Sequence, residues 1–281
     1  MATPLQRVAA ASEASGTLRT LLREWRARRH VSQLALALEA GVSQRHLSFV
    51  ESGRARPSRD LVLRLAQTLD LPLRARNELL MAAQFAPAYP ERALDAGDMR
   101  VVRGALERIM THHEPYPAMV LDRYWNIVMR NAANVRLVSR LADTDAIARR
   151  SPDGKLNFVR MMFAADGIRR HVANWDVVST SLIARVRREA NVSSGSPSSG
   201  LLEELLASES RAAHSHFDDA LLSPTAPLEL DIEGHRLRLI NMLTTFGTPQ
   251  DVAVQELRIE MAFPADEATR GVLVGWARDA G

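Results

Sequence analysis

Residues 32–56 read SQLALALEAGVSQRHLSFVESGRAR, and the spacing of their apolar and polar residues decides the fold of the first part of the chain. An apolar residue recurs at i, i+3, i+4 and i+7, which predicts a helix with one buried face. Gly41 suits the left-handed conformation that ends a helix, and Ser43 can cap the amides of a second helix. The stretch therefore predicts two helices joined by a short turn. The predicted inward face of the first helix consists of Val31, Leu34, Ala35 and Leu38.

The second predicted helix has one apolar and one polar face. Leu47 and Val50 are expected to point back at the first helix. Two helices joined by a Gly-containing turn, the second with Gln and Arg near its N-terminus, are typical of a helix-turn-helix that reads DNA. The outward face carries Gln44, Arg45, Ser48 and Phe49.

The flanking sequence completes a five-helix bundle. An apolar stripe predicts an earlier helix, Ser58 is expected to cap a fourth helix, and Pro72 to open a fifth that runs to about Phe85. Gly53 to Pro57 is predicted to be a basic loop. The expected core positions of these three helices are Leu18, Leu21, Leu22, Trp25, Leu61, Val62, Leu65, Leu69, Leu73, Leu79 and Leu80.

Residues 17–86 resemble the XRE family, which is related to the phage repressors and Cro. The resemblance rests on Gln33, Gly41, Ser43-Gln44-Arg45 and Glu51-Ser52-Gly53-Arg54. It implies a lambda-repressor-like bundle whose recognition helix enters the major groove, where amides suit adenine and guanidinium suits guanine. A helical protein-interaction module is the alternative. The implied base-contacting residues are Gln44, Arg45, Ser48 and Phe49, and the implied phosphate-contacting residues are Gln33, Ser43, Arg54 and Arg56.

Charge is distributed as a DNA-binding segment requires. The first 84 residues carry 13 basic and 7 acidic side chains, whereas the remainder carries 23 basic and 26 acidic ones. The basic excess therefore coincides with the predicted helix-turn-helix, where phosphate contacts would release counterions.

Length and composition limit the rest of the protein. The chain has 281 residues, enough for a second core, and 46% of them are hydrophobic. It has no cysteine, which excludes disulfides and thiolate metal sites. No apolar run approaches the roughly 20 residues of a membrane span, and the first fifteen residues do not resemble a secretory leader. We therefore expect a cytoplasmic protein with no membrane partner.

The predicted organisation is a small bundle followed by a larger α+β domain. We expect a disordered N-terminus at 1–15, the DNA-binding domain at 16–86, a connecting segment and helix at 87–111, and a second domain at 112–281. SSGSPSSG at 193–200 is predicted to be a mobile loop between two helices of the second domain.

The second domain opens with a strand, a turn and another strand. Ala118–Leu121 is a short apolar run, Asp122-Arg123 a predicted turn, and residues 125–130 a predicted strand. A helix is expected to follow from Asn131. Later stretches predict a long helix over 174–189 and strands over 228–232, 236–246 and 254–263, which gives a sheet with helices on one face.

The opening of this domain resembles a PAS-type sensor, and residues 99–270 resemble the ligand-binding domain of MmyB-like transcription regulators. KLNFVRMMFAADGIRR at 155–170 and FGTPQDVAVQELRIEMAFPAD at 246–266 carry the second resemblance. It implies a PAS-like α+β domain that holds a small hydrophobic, fatty-acid-like ligand.

Apolar and soft residues are the candidates for a ligand pocket, because methionine fills irregular cavities. Tyr116, Asn131 or Arg160 could hold a polar head group. At these spacings, ordinary core packing is the competing interpretation for each residue. The candidate ligand-binding residues are Tyr116, Met119, Trp125, Asn131, Phe158, Met161, Met162, Phe163, Trp175, Met242 and Phe246.

The remaining motifs predict no catalysis. His112-His113, and His214 and His216 with Asp218 and Asp219, lack a metal-site spacing. There is no phosphate loop and no nucleophile elbow. The sequence thus predicts no cofactor, no metal, and no enzyme.

These expectations define a one-component transcription regulator, by default a repressor, that binds a double-stranded DNA operator as a homodimer and senses a small hydrophobic ligand. Two alternatives stay open: an enzyme fused to a DNA-binding domain, and a DNA-binding protein whose second domain serves only dimerisation or protein interaction.

Overall fold

The computed structural model describes residues 18–192, 197–208 and 227–279. The chain divides into two units: the first runs to Arg92 and also contains Thr248–Gln255, and the second comprises Ala93–Gly247 and the residues from Glu256 on. The predicted disordered N-terminus at 1–15 and the His214 to Asp219 cluster lie outside the described residues. Within the described ranges, no helix is long and apolar enough to cross a membrane.

Three serines begin the central helices of the first unit. The Oγ atoms of Ser32, Ser43 and Ser58 accept hydrogen bonds from backbone amides three residues further on, at 3.1, 3.1 and 3.2 Å. Gly41 adopts a φ of +66° in the turn between the second and third helices. The predicted five-helix bundle is thus confirmed, and its helices are α1 (18–28), α2 (Gln33–Glu39), α3 (Gln44–Glu51), α4 (Arg59–Thr68) and α5 (Leu73–Ala82).

The predicted inward face of α2 is wrong. Leu34 is 51% exposed and Leu38 is 70% exposed, whereas Leu36, Ala37 and Ala40 are buried. Gln33 explains the rotation of the helix, because its side chain is directed inward and donates to Glu51 at 2.9 Å. Residues 36, 37 and 40 follow Gln33 at i+3, i+4 and i+7, so they share its face.

The segment after α5 returns along that helix. The Asn77 carboxamide donates to the Tyr89 carbonyl at 2.7 Å and accepts from the amides of Ala88 and Tyr89 at 2.9 and 3.1 Å. Asn77 is 8% exposed, so its bonds hold the backbone of residues 88 and 89 against α5.

Residues 248–255 belong to the same unit and complete the start of α5. Pro72, at the N-cap position, provides no side-chain cap, and the Leu73 amide instead donates to Gln255 Oε1 at 2.6 Å. The Val252 amide donates to the Pro90 carbonyl at 2.8 Å. Residues 252–256 form helix α12 (Val252–Glu256), so the predicted strand over 254–263 is wrong in its first part.

The second unit contains one antiparallel sheet of five strands in the order β2-β1-β5-β4-β3. The strand predicted from Trp125 begins two residues later, because Trp125 has a φ of +68° and lies in the turn. That turn is held by Asp122 Oδ1, which accepts from the amides of Tyr124 and Asn126 at 2.8 and 2.9 Å. The strands are β1 (Ala118–Leu121), β2 (Ile127–Arg130), β3 (Leu228–Ile232), β4 (His235–Thr244) and β5 (Arg258–Pro264).

Helices cover both faces of this sheet, not one face as predicted. Leu106 and Met110 of α6 pack in a core with Ala118, Val120 and Ile259. The opposite face carries the larger core, which includes Met119 and Leu121. The described helices of this unit are α6 (Arg100–His112), α7 (Ala132–Leu141), α8 (Thr144–Arg150), α9 (Phe158–Phe163), α10 (Trp175–Val192), α11 (Pro197–Ser208) and α13 (Glu267–Arg278).

Two local predictions can be compared with these helices. Asn131 begins α7 as expected, since its Oδ1 accepts from the Asn134 amide at 2.9 Å. The loop predicted at 193–200 is too long, because residues 197–200 already belong to α11. Residues 193–196 lie outside the described part of the chain.

Candidate DNA-binding helix and ligand cavity

Helix α3 presents the predicted base-contacting side chains. Gln44 and Arg45 are exposed at its first turn, and Ser48 and Phe49 are partly exposed. The guanidinium carbon of Arg45 lies 5.4 Å from the centroid of the Phe49 ring, so the two side chains form a cation–π pair. Phe49 thereby orients the Arg45 side chain.

A buried carboxylate holds α3 to the helices behind it. Glu51 is 1% exposed and accepts from Arg26 Nε and Nη2 at 2.8 and 3.2 Å. It also accepts from Gln33 Nε2 at 2.9 Å. Three helices, α1, α2 and α3, therefore meet at one charge-assisted network. Gln33, predicted to touch phosphate, supports α3 from within through this bond.

The other predicted phosphate contacts flank the recognition helix. Ser43 is exposed at the N-terminus of α3, where its Oγ caps the helix. Arg54 and Arg56 are exposed in the loop after α3. A hydroxyl at the start of α3 and two arginines in the loop after it suit contacts with the DNA backbone.

Two adjoining cavities lie against one face of the sheet in the second unit, the outer one lined partly by α10 and the inner one by α7 and α9. The outer cavity is about 290 Å³, the inner one about 60 Å³, and they share five lining residues. Most of the lining is aliphatic or thioether, which suits a flexible apolar ligand. The shared residues are Phe158, Met162, Leu228, Asn241 and Glu260.

Four of the eleven predicted ligand residues line these cavities. Met119 and Met161 line the inner one, and Phe158 and Met162 line both. They come from β1, which the sequence predicts as an apolar strand, and from α9, which lies in the segment 155–170 that carries the family resemblance.

Three further candidates do not line the cavities: they pack in the core or form hydrogen bonds with backbone groups. Trp125 stacks on Phe158 at 6.3 Å between ring centroids and is fully buried. Asn131 donates to the Tyr116 carbonyl at 2.8 Å and accepts from the Ala118 amide at 2.9 Å. Tyr116 packs against the larger core without lining either cavity. Of the three, Trp125 supports a cavity-lining side chain from behind.

The last four candidates lie elsewhere. Phe163 packs edge-on against Trp175 at 4.9 Å and lines a separate cavity of about 620 Å³. Met242 is 54% exposed, and Phe246 packs with the α6 face of the sheet. Since the apolar cavities lie on the opposite face, neither residue reaches them.

Arg160, considered for a head group, lines the separate cavity and forms an ion pair with Glu204 at 2.8 Å. Arg150 and Asp166 form a second ion pair there, also at 2.8 Å. The hydrogen bond from Arg150 holds the pKa of Asp166 below its usual value. This cavity is therefore bordered by two exposed ion pairs and resembles a surface depression more than an apolar ligand site.

Sequence reasoning missed the polar groups of the apolar cavities. Arg185 of α10 lines the outer cavity and donates through Nη1 to Glu260 Oε1 at 2.5 Å. Glu260 is 7% exposed, on a strand that is otherwise mainly apolar. For Arg185 the available signal was a charged residue between Leu182 and Val186, on the buried side of α10. Glu260 alternates with the apolar Ile259 and Met261 along β5, as a solvent-facing residue would, so its position offered no such signal.

Metal ligands do not assemble in the described part of the chain, where no group of three such side chains was found. His113 is 8% exposed, and its Nε2 forms a hydrogen bond with the Ala262 carbonyl at 3.0 Å. That bond gives the buried histidine a structural role at the sheet.

An exposed polar helix on a five-helix bundle, followed by an α+β domain with an apolar cavity, is typical of transcription regulators that bind DNA and carry a ligand-binding domain. Comparison with known families agrees. Residues 22–75 match the helix-turn-helix family, and residues 102–274 match the MmyB-like transcription regulator ligand binding domain. The chain therefore belongs to the MmyB-like transcription regulators, whose two matched domains are regulatory binding domains.

Similarity to individual proteins adds little. One solved structure, described as "Structure of an RNA-binding Light-Oxygen-Voltage Receptor", is 14% identical with a TM-score of 0.27. The alignment covers 98% of this chain and 66% of that one, and a score this low supports no inference about fold. No curated protein matches the chain.

Proposed function

We propose that this protein is a sequence-specific, one-component transcription regulator, by default a repressor, that acts as a homodimer. DNA binding is assigned to residues 16–86, and sensing of a small hydrophobic, fatty-acid-like ligand to a PAS-like domain at 112–281. A DNA partner implies a cytoplasmic site of action. No catalytic role, metal or cofactor is part of the proposal.

The observation that carries the DNA-binding part is the outward placement of Gln44 and Arg45 on a capped, internally anchored helix. Base reading is assigned to Gln44, Arg45, Ser48 and Phe49, and phosphate contact to Ser43, Arg54 and Arg56. A homodimer would place two recognition helices roughly 34 Å apart, so that they meet successive major grooves.

The operator is first selected from random DNA with the purified full-length protein. Arg45→Ala is expected to weaken binding to the selected operator by about 1–3 kcal/mol and to leave binding to unrelated DNA unchanged. Arg64→Ala, which removes an exposed arginine from α4, is the matched control. The assignment of Arg45 would be contradicted if both variants lost the same operator affinity. It would also be contradicted if Arg45→Ala weakened binding to operator and unrelated DNA equally.

Arg54→Ala tests the phosphate contacts separately. Affinity should fall for every DNA sequence, and the slope of log K against log salt should decrease by about 0.9, the contribution of one phosphate contact. An unchanged salt slope, measured by fluorescence anisotropy between low and moderate salt, would remove Arg54 from the interface.

The sensing part rests on the two adjoining apolar cavities. A ligand can alter operator binding only if it binds two arrangements of the protein with different affinity. The test is operator affinity with and without a medium-chain amphiphile, together with mass spectrometry of small molecules extracted from the purified protein. If no such molecule binds, the second domain is better explained as a dimerisation or interaction domain.

A further inference from the structure

Two arginines and two glutamates form a balanced charge cluster beside the outer cavity. Arg185 is paired with Glu260 at 2.5 Å, and Arg258 is paired with Glu189. The guanidinium carbons of the two arginines lie 4.6 and 4.4 Å from the Trp125 ring centroid. Arg258 also donates to the Asp122 carbonyl at 2.5 Å. Each positive charge in the cluster therefore already has a carboxylate partner.

This balance determines which head group the cavity accepts. Within the part of the chain that the structure describes, Arg185 and Glu260 are the charged residues that line the two cavities. A ligand carboxylate would lie beside Glu260 without a guanidinium of its own. Placing an uncompensated charge in such a buried site is unfavourable, and a neighbouring like charge adds to the cost.

Hydrogen-bonding capacity nevertheless exists there. Arg185 Nη2 is a buried donor without a partner among the described residues. Asn134, 6% exposed and lining the inner cavity, has a buried side-chain oxygen without a partner among the same residues. Ser181 and Asn241 add further polar groups to the outer cavity. The cavity thus offers both donors and acceptors in addition to its apolar walls.

We propose that the ligand carries an uncharged polar head group, a hydroxyl or a carboxamide, on an aliphatic chain. This inference rests on the ligand-sensing function proposed above, and it replaces the fatty-acid-like head group of that proposal with an uncharged one. The head group accepts a hydrogen bond from Arg185 Nη2 and donates one to the Glu260 carboxylate, which a ligand carboxylate cannot do. The chain lies against Phe158 and Met162 and extends toward Met119 and Met161.

The test compares three ligands with the same chain, 1-decanol, decanamide and decanoate, by isothermal titration of the full-length protein. Decanol and decanamide are expected to bind at least tenfold more tightly than decanoate. If decanoate binds as tightly as the neutral ligands, the head-group inference is wrong, while the proposed sensing function stands. If none of the three binds, both are overturned.

A charge substitution tests the cause of the preference. Glu260→Gln removes the carboxylate and leaves Arg185 uncompensated, so the affinity for decanoate should rise at least tenfold. Glu204→Gln, which neutralises the exposed partner of Arg160, is the matched control and should leave the order of the ligands unchanged. A folded Glu260→Gln protein, verified by near-UV circular dichroism, that still binds decanoate as weakly as the wild type would overturn the inference.

Arg185→Gln provides a second variant if Glu260→Gln does not fold. This substitution removes the guanidinium that donates a hydrogen bond to the head group, so the affinity for decanol and for decanamide should each fall at least fivefold. Unchanged binding of both neutral ligands to this variant would overturn the inference.

Discussion

Replacing Glu51 with alanine should loosen the recognition helix from the bundle. The carboxylate is 1% exposed and accepts three hydrogen bonds from Arg26 and Gln33, at 2.8, 3.2 and 2.9 Å. Removing one partner of a buried ion pair costs about 3–5 kcal/mol, because the other charge is left without compensation. The Arg26 side chain is 23% exposed and can recover some hydration, so we expect a loss of about 3 kcal/mol, at the lower end of that range.

The assay is urea-dependent hydrogen exchange of the α3 amides, which reports on this helix separately from the second unit. With a denaturant slope of about 1–3 kcal/mol/M, the midpoint for α3 should fall by about 1–3 M urea. Glu51→Gln keeps an acceptor but loses the charge, so its shift should be intermediate. Operator affinity should decrease in the same order as stability.

Glu39→Ala is the control, because it removes an exposed glutamate from the neighbouring helix α2. The double replacement Arg26→Met with Glu51→Met should recover part of the loss, since neither charge is then left alone. An α3 midpoint in Glu51→Ala that equals the wild-type value would refute the argument that this carboxylate positions the helix.

Three further predictions concern helix starts and the sheet. Gln255→Ala should cost about 1 kcal/mol and speed amide exchange in the first turn of α5, while Gln250→Ala, an exposed change in the same segment, should not. Asn131→Ala should lower the thermal stability of the second unit by about 3 kcal/mol, because several buried backbone groups lose their partner; calorimetry measures this. The pKa of Asp266 lies below its usual value, mainly because the Thr269 amide donates a hydrogen bond to its carboxylate. Asp266 therefore stabilises α13 fully at pH values above its unfolded-state pKa. This stabilisation is lost as the pH falls through the lowered folded-state pKa. Asp266→Ala should remove this pH dependence from the exchange of the α13 amides.

The helix starts of the first unit could be predicted because their signals are local. Ser43 and Ser58 each cap a helix through an amide three residues away, so the cap and its partner are read from one short stretch. Gly41 likewise marks a turn by its own conformational freedom. Neither signal depends on the rest of the fold.

The rotation of α2 could not be predicted in the same way, because its sequence is apolar on two faces. Leu34 and Leu38 satisfy helical spacing as well as Leu36 and Ala40 do. The choice between the two faces depends on the bond between Gln33 and Glu51, residues of different helices. Periodicity within one helix contains no information about that bond.

The boundary before β5 was missed for a related reason. Apolar residues alternate at 257, 259, 261 and 263, and the predicted strand extended this pattern back to Val254 across Gln255 and Glu256. Asp251 instead caps α12, its Oδ1 accepting from the Ala253 amide at 2.9 Å, and it pairs with Arg92 at 3.3 Å. The distant arginine stabilises the cap and thereby favours a helix where alternation alone predicts a strand.

The placement of the polar groups in the cavity also depends on residues that are distant in the sequence. Arg185 and Glu260 are 75 residues apart, and Arg185 taken alone is a charge among the apolar residues of α10. Burial of either one alone would be unfavourable, so the fold must bring the two together or expose both. A charged residue at a core-facing position is therefore a useful prediction in itself, since it indicates that another element supplies a counter-charge. In this domain that pair lines the cavity, and it gives a mainly apolar site the means to distinguish one head group from another.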